Sequence, residues 1–139
     1  MKELTVEARL ESLSKVTAFV DAELEAAGCP IDTQLQFHIV IDEVFGNISH
    51  YAYPDGPGEA VIRFSLEESP PTLVLTFLDA GIPFDPLKTE APDTSLKARE
   101  RKVGGLGIFM VKKLMDEVRY DFIDGRNVLT LRKGLRATP

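Results

Sequence analysis

The chain has 139 residues, 44% of them apolar, and a formal net charge of −6. That is enough for one domain with a sizeable core, and too acidic for a general nucleic-acid binder, which carries a basic face. A single cysteine, Cys29, excludes an internal disulfide, and no second thiol or His cluster accompanies it for a metal.

The N-terminal segment Met1–Thr5 lacks a signal-peptide apolar core, and no run approaches the roughly 18 apolar residues of a membrane span. A cytoplasmic protein is expected, with no direct nucleic-acid or membrane contact. Leu4 to Val6 fits a short edge strand. From Ser12 to Ala27 the apolar residues Leu13, Val16, Val20 and Leu24 recur at helical spacing, and Gly28 is a stop. A second helix, capped by Asp32 or Thr33, is expected to run to Tyr51. Its apolar stripe is Phe37, Ile41, Val44, Ile48 and Tyr51. Tyr53-Pro54-Asp55-Gly56-Pro57-Gly58 is dense turn chemistry.

The period then changes to two. Val61, Arg63 and Ser65 alternate with Ile62, Phe64 and Leu66 as in a strand with one wet face. Leu73 to Asp79 reads as a more buried strand, paired antiparallel with the first across Pro70-Pro71. From Gly81 to Val103 there is little periodicity, and Pro83, Pro86 and Pro92 interrupt the segment. A loop of this length inside a domain is more often a lid or binding loop than filler. Leu106 to Glu117 is expected to be helical. Two last strands, Val118–Ile123 and Asn127–Lys133, meet at Asp124-Gly125, a hairpin signal. Helices and hairpins in separate blocks predict an α+β fold, with the helices on one face of the sheet.

Three features carry possible chemistry. Glu43 and Asn47, four apart, share one face of the second helix at the rim of its apolar stripe. A carboxylate there suits a general base, and an amide oxygen is a ligand Mg²⁺ accepts beside waters and phosphates. Two solvated side chains would show the same spacing. Asp79 ends a buried strand before Ala80-Gly81, where an acid accepts a hydrogen bond from an exocyclic amine; an ordinary strand-ending turn residue fits equally. Gly104, Gly105 and Gly107 immediately precede an apolar helical run, so backbone N–H groups and a helix dipole are open to an anion. A glycine-rich turn starting a core helix is the plainer alternative. No Walker P-loop, Rossmann fingerprint or nucleophile elbow is present. His38 and His50 read as surface or packing residues.

In order and spacing these pieces resemble the GHKL ATPase superfamily with its Bergerat ATP-binding fold, and within it the anti-sigma-factor serine kinases of bacteria. The N box is matched by Asp42-Glu43-Val44-Phe45-Gly46-Asn47. The G1 box is matched by Asp79-Ala80-Gly81, and the G2 box by Gly104-Gly105-Leu106-Gly107-Ile108. Gly125 to Leu131 resembles the closing strand. The resemblance implies one domain over residues 1–139, a two-layer sandwich of a mixed, mostly antiparallel sheet covered on one face by helices.

It also implies roles. Asn47 holds Mg²⁺ between the phosphates of ATP, and Glu43 deprotonates the attacking hydroxyl. Asp79 reads the adenine amine with Gly81 and Thr130. Gly105 and Gly107 lie against the phosphates, flanked by Gly104 and Leu106. Residues Lys88 to Val103 form the lid, to which Lys97, Arg99, Arg101 and Lys102 add positive charge unless they are a solvated charge run. The implied activity is phosphorylation of a Ser or Thr on a STAS-type antagonist, alternating with capture of a sigma factor, by a homodimer whose first helix contacts partners through Ser14, Lys15 and Thr17. A non-catalytic ATP-sensing module is the alternative. Two departures from the family pattern stand at Pro83, where many members have a second glycine, and at Tyr51, where many have His.

Overall fold

The computed structural model describes residues 1–88 and 105–135, the side chains of 105 and 106 excepted. Its strands are β1 (Lys2–Glu7), β2 (Glu59–Glu68), β3 (Pro71–Asp79), β4 (Glu117–Ile123) and β5 (Arg126–Gly134). Its α-helices are α1 (Leu13–Ala26), α2 (Ile31–Tyr51) and α3 (Gly105–Leu114), and short 3₁₀ turns occupy Leu10–Ser12 and Pro86–Lys88. The sheet order is β1-β2-β3-β5-β4. Every pairing is antiparallel, more uniform than the mixed sheet expected.

Local chemistry sets the helix ends. Gly28 takes φ +73°, its N–H bonds the Glu25 carbonyl, and the Cys29 N–H bonds that of Leu24. This pair closes α1 as a Schellman motif and uses carbonyls the helix leaves open. The cap of α2 differs from expectation: Pro30, extended at φ −61° and ψ 152°, precedes the first helical residue Ile31. Asp32 lies in the first turn, where a carboxylate complements the helix dipole. The third helix stops at Leu114, short of the expected Glu117, because Glu117 already pairs with Arg132 in β4. At the β4–β5 turn Asp124 (φ 54°) and Gly125 (φ 78°) both adopt positive φ, as a two-residue hairpin requires.

One core joins helices and sheet. Val16, Val20 and Leu24 of α1 and Phe37, Val40, Ile41, Val44 and Phe45 of α2 pack on alternate strand residues. Those are Ala60, Ile62 and Phe64 of β2, Leu73, Leu75 and Phe77 of β3, and Leu129 and Leu131 of β5. The intervening strand residues face the opposite side. There ion pairs cross-link the strands: Arg63 to Glu3 at 2.7 Å, and Arg132 to Glu67 at 2.6 Å and to Glu117 at 3.0 Å. Helices therefore cover one face only, as the α+β reading expects. Between β3 and β5 the chain passes through α3 and β4, which brings the start of α3 to the side of α2.

Candidate functional site

The site forms where α2, α3 and the ends of β3 and β5 meet. A cleft lies there. Its apolar walls are Val44, Ile48, Phe77, Ile108 and Leu129, its polar groups are Asn47, Asp79, Tyr120 and Asn127, and Tyr51 and Phe84 flank it. Mostly apolar walls with a few convergent polar groups are what a small-molecule pocket requires. A flat heterocycle with a polar edge fits that lining.

Two of the predicted residues sit on one face of α2, one turn apart. Asn47 lines the cleft. Its Oδ1 is sealed from solvent and has no hydrogen-bond partner among the described residues, and the same is true of Glu43 Oε1. A buried polar atom without a partner costs roughly 1–3 kcal/mol, and such atoms concentrate where a ligand completes the bonding. The Glu43 carboxyl group lies against Gly107 in the first turn of α3, in space a Cβ there would fill. Burial, and secondarily the neighbouring Asp42, push the Glu43 carboxyl above the usual carboxylate range. A raised pKa brings a carboxylate closer to neutrality, where it accepts protons more effectively.

At the far end of the cleft Asp79 is 6% exposed. Its Oδ1 accepts the Gly81 N–H at 2.9 Å and the Asn127 side-chain N–H at 2.9 Å. Burial pushes its carboxyl up, and the bonds from Asn127 and Gly81 pull in the other direction. Asp79 and Asn127 are direct partners across the β3–β5 ladder, which is why their side chains meet. Tyr53 braces this corner: its hydroxyl donates to the Glu59 carbonyl at 2.6 Å and accepts the Ala80 N–H at 2.8 Å. Gly81 packs against the Ala52 backbone at the end of α2, where a Cβ would collide with the carbonyl, and the Ile82 N–H bonds that same carbonyl at 2.9 Å.

Thus Asn47 and Asp79 share the cleft, and Glu43 and Gly107 touch beside it. Gly81 serves the turn next to Asp79. Thr130 does not join them. It pairs with Thr76 and Arg119 two positions after the partly exposed Val128, on the ion-paired face of the sheet, whereas Asn127, Leu129 and Leu131 face the helices. The residue beside Asp79 is Asn127, one the sequence reading passed over. Its signal was the parity of β5: from the core residues Leu129 and Leu131, steps of two lead back to 127 and miss 130.

Gly105 is the first residue of α3. Gly104, the Leu106 side chain, and Lys97, Arg99, Arg101 and Lys102 of the expected lid lie outside the described residues. Pro83 causes no conflict, because the bonds that pin its segment use the Ile82 carbonyl and the Phe84 N–H. Its missing N–H is not needed there. Tyr51 packs near Phe84, ring centroids 6.5 Å apart.

Among the described residues no cluster of three or more His, Cys, Asp or Glu side chains could hold a metal. A single amide oxygen such as Asn47 Oδ1 is a ligand of the kind Mg²⁺ accepts beside phosphate oxygens and water. No helix among those residues is long and apolar enough to cross a membrane.

Comparison with known proteins supplies the family. The chain is 27% identical over 131 residues to the Serine-protein kinase RsbW of Bacillus thuringiensis (strain Al Hakam), covering 91% of this chain and 81% of the relative. The proteins of the same name from Bacillus cereus (strain 03BB102) and Bacillus anthracis (strain A0248) match at the same identity and coverage. The family model of the histidine kinase-like ATPase domain matches residues 6–133, which takes in every element from α1 to β4, nearly all of β5 and the end of β1. The chain belongs to the histidine kinase-like ATPase domain family.

Proposed function

We propose that this protein is a single-domain, Mg²⁺-dependent kinase that transfers the γ-phosphoryl group of ATP to a Ser or Thr hydroxyl of a small STAS-type partner protein. The observation that carries the reading is the pair of sealed oxygens, Glu43 Oε1 and Asn47 Oδ1, on one face of α2, neither with a hydrogen-bond partner among the described residues. An acid and an amide left unpaired in a protein interior await something that pairs with them. ATP would lie with its base toward Asp79 and its phosphates toward the start of α3, where helix N–H groups favour anions.

Asn47 Oδ1 is the side-chain ligand offered to Mg²⁺. The ion, when bound, offsets negative charge on the phosphates. Glu43, with its raised pKa, accepts the proton of the partner's hydroxyl as the new O–P bond forms and the bond to ADP breaks. The partner supplies the nucleophile, so this chain contributes position and charge, the usual division of labour in phosphoryl transfer. By the family resemblance, the unphosphorylated partner competes with a sigma factor for a homodimer of this chain, in the cytoplasm. The exposed Ser14 and Lys15 and the half-buried Thr17 of α1 are the contacts assigned to partners.

The test uses labelled ATP, Mg²⁺ and a STAS-domain protein from the same organism. Label is expected on a partner Ser or Thr, and Glu43→Ala is expected to abolish transfer while ATP still binds. Tight ATP binding without any transfer by the unaltered chain would replace the kinase with a sensor that only orders itself around ATP.

A further inference from the structure

The polar end of the cleft contains one side chain whose bonding capacity is completely used by the protein. Asn127 Oδ1 accepts the Phe84 N–H at 3.1 Å and the Tyr120 hydroxyl at 2.5 Å. Its Nδ2 donates to Asp79 Oδ1 at 2.9 Å and to the Ile82 carbonyl at 2.9 Å. The amide has two acceptor sites and two N–H donors, so nothing is left over for a ligand. Nor is its orientation arbitrary. The Phe84 N–H can only donate and the Ile82 carbonyl can only accept, which fixes oxygen and nitrogen in place.

The consequence falls on Asp79. With Asn127 and Gly81 both on Oδ1, the carboxylate is held in one rotamer. Its other oxygen, Oδ2, accepts no hydrogen bond from the described residues. We infer that Asn127, backed by Tyr120, is a positioning residue that fixes Asp79 as an acceptor for the base of the nucleotide and ties it to the Ile82–Phe84 segment leading into the following loop. The inference rests on the nucleotide reading above. Asn127 itself does not touch the base. It makes selectivity possible by denying Asp79 any other arrangement, and Tyr120 Oη keeps the amide from turning.

A positioning role separates from a purely structural one through selectivity. ATP and ITP carry the same triphosphate and differ at the base, where an exocyclic amine in one is a carbonyl oxygen in the other. A fixed carboxylate accepts from the amine and repels the carbonyl. Dissociation constants for both nucleotides are to be measured by calorimetry with Mg²⁺ on the full chain and on Asn127→Ala and Tyr120→Phe. The unaltered chain is expected to prefer ATP. Asn127→Ala should lower that preference about tenfold, the scale of one hydrogen bond to a charged group. Tyr120→Phe, which keeps the ring in place, should lower it about threefold, and it carries the test should Asn127→Ala fail to fold.

Equal weakening of ATP and ITP, with the preference unchanged in the variants that fold, would overturn the positioning role and leave the nucleotide site standing. An unaltered chain that binds neither nucleotide would overturn the nucleotide reading, and this role with it.

Discussion

Glu43 is a side chain the fold tolerates at a cost. Its Oε1 is sealed without a partner among the described residues, and burial raises its pKa. In the unfolded chain a Glu titrates near pKa ~4.3, so the folded state binds the proton more tightly. The stability this gives is fully present below the unfolded pKa and is lost as pH rises through the higher folded value. Glu43→Gln, which carries no charge at any pH, is therefore expected to be more stable than the unaltered chain at neutral pH. The gain should be about 1 kcal/mol after allowing for partial exposure, or roughly 3 °C in Tm, and should vanish near pH 4. Thermal unfolding across that range checks it. Catalysis has the opposite dependence. Only the ionised carboxylate can take a proton, so transfer should rise with pH through the raised pKa, and Glu43→Gln should lose roughly 10²–10⁴-fold above that pKa, a deficit that shrinks as pH falls below it. A variant that gains stability and loses transfer together would bear the usual signature of a functional site.

Gly107 makes the same point from the other side of the contact. A Cβ there meets the far end of the Glu43 side chain and not backbone. The clash is relieved by moving the carboxyl group, and the fold need not change. Gly107→Ala is expected to remain folded and to lose at least tenfold in transfer, since displacement of a catalytic group by about 1 Å is enough to cost as much as 10²-fold. A circular dichroism melt alongside the transfer assay separates this from simple unfolding; unaltered transfer would remove Glu43 from the chemistry.

At the level of elements, strand parity decides membership of the site. Residues of β5 alternate between the helix side and the ion-paired side, and Thr130 belongs to the latter. Thr130→Val is accordingly expected to leave ATP affinity within about twofold and stability within ~0.5 kcal/mol. A large loss of affinity, measured by calorimetry, would return Thr130 to the site.

The same rule explains what could be read from the sequence. The helices α1 and α2, the strands β2 and β3 and the turn at Asp124-Gly125 rest on local periodicity and turn chemistry, and they stand where the pattern put them to within a few residues. Glu43 and Asn47 share a face because four residues make about one helical turn. Asn127 was hidden because its partner Asp79 is 48 positions away, and register between such strands is set by the whole sheet. The end of α3 was misjudged for a related reason. Glu117 suits a helix locally, yet its pairing with Arg132 recruits it to β4.

For the whole molecule, the cleft lies between parts that are distant in sequence: the middle of α2, the end of β3, the start of α3 and the β4–β5 hairpin. A ligand that touches all of them links their stability to its own binding. Any ligand that binds the folded chain alone stabilises it by RT ln(1 + [L]/Kd), about 2.7 kcal/mol at a hundredfold excess over Kd. For a domain of this size that is on the order of 10 °C in Tm. ATP with Mg²⁺ is expected to produce such a shift. Removing the metal with EDTA should shrink it, because Asn47 Oδ1 then loses the ion that would pair with it and the phosphates keep their full mutual repulsion. In Asn47→Ala the shifts with and without Mg²⁺ should coincide, since the side-chain ligand is gone in both. A variant that keeps the full Mg²⁺-dependent part of the shift would show that the ion is held elsewhere. The unpaired amide oxygen on α2 would then need another partner.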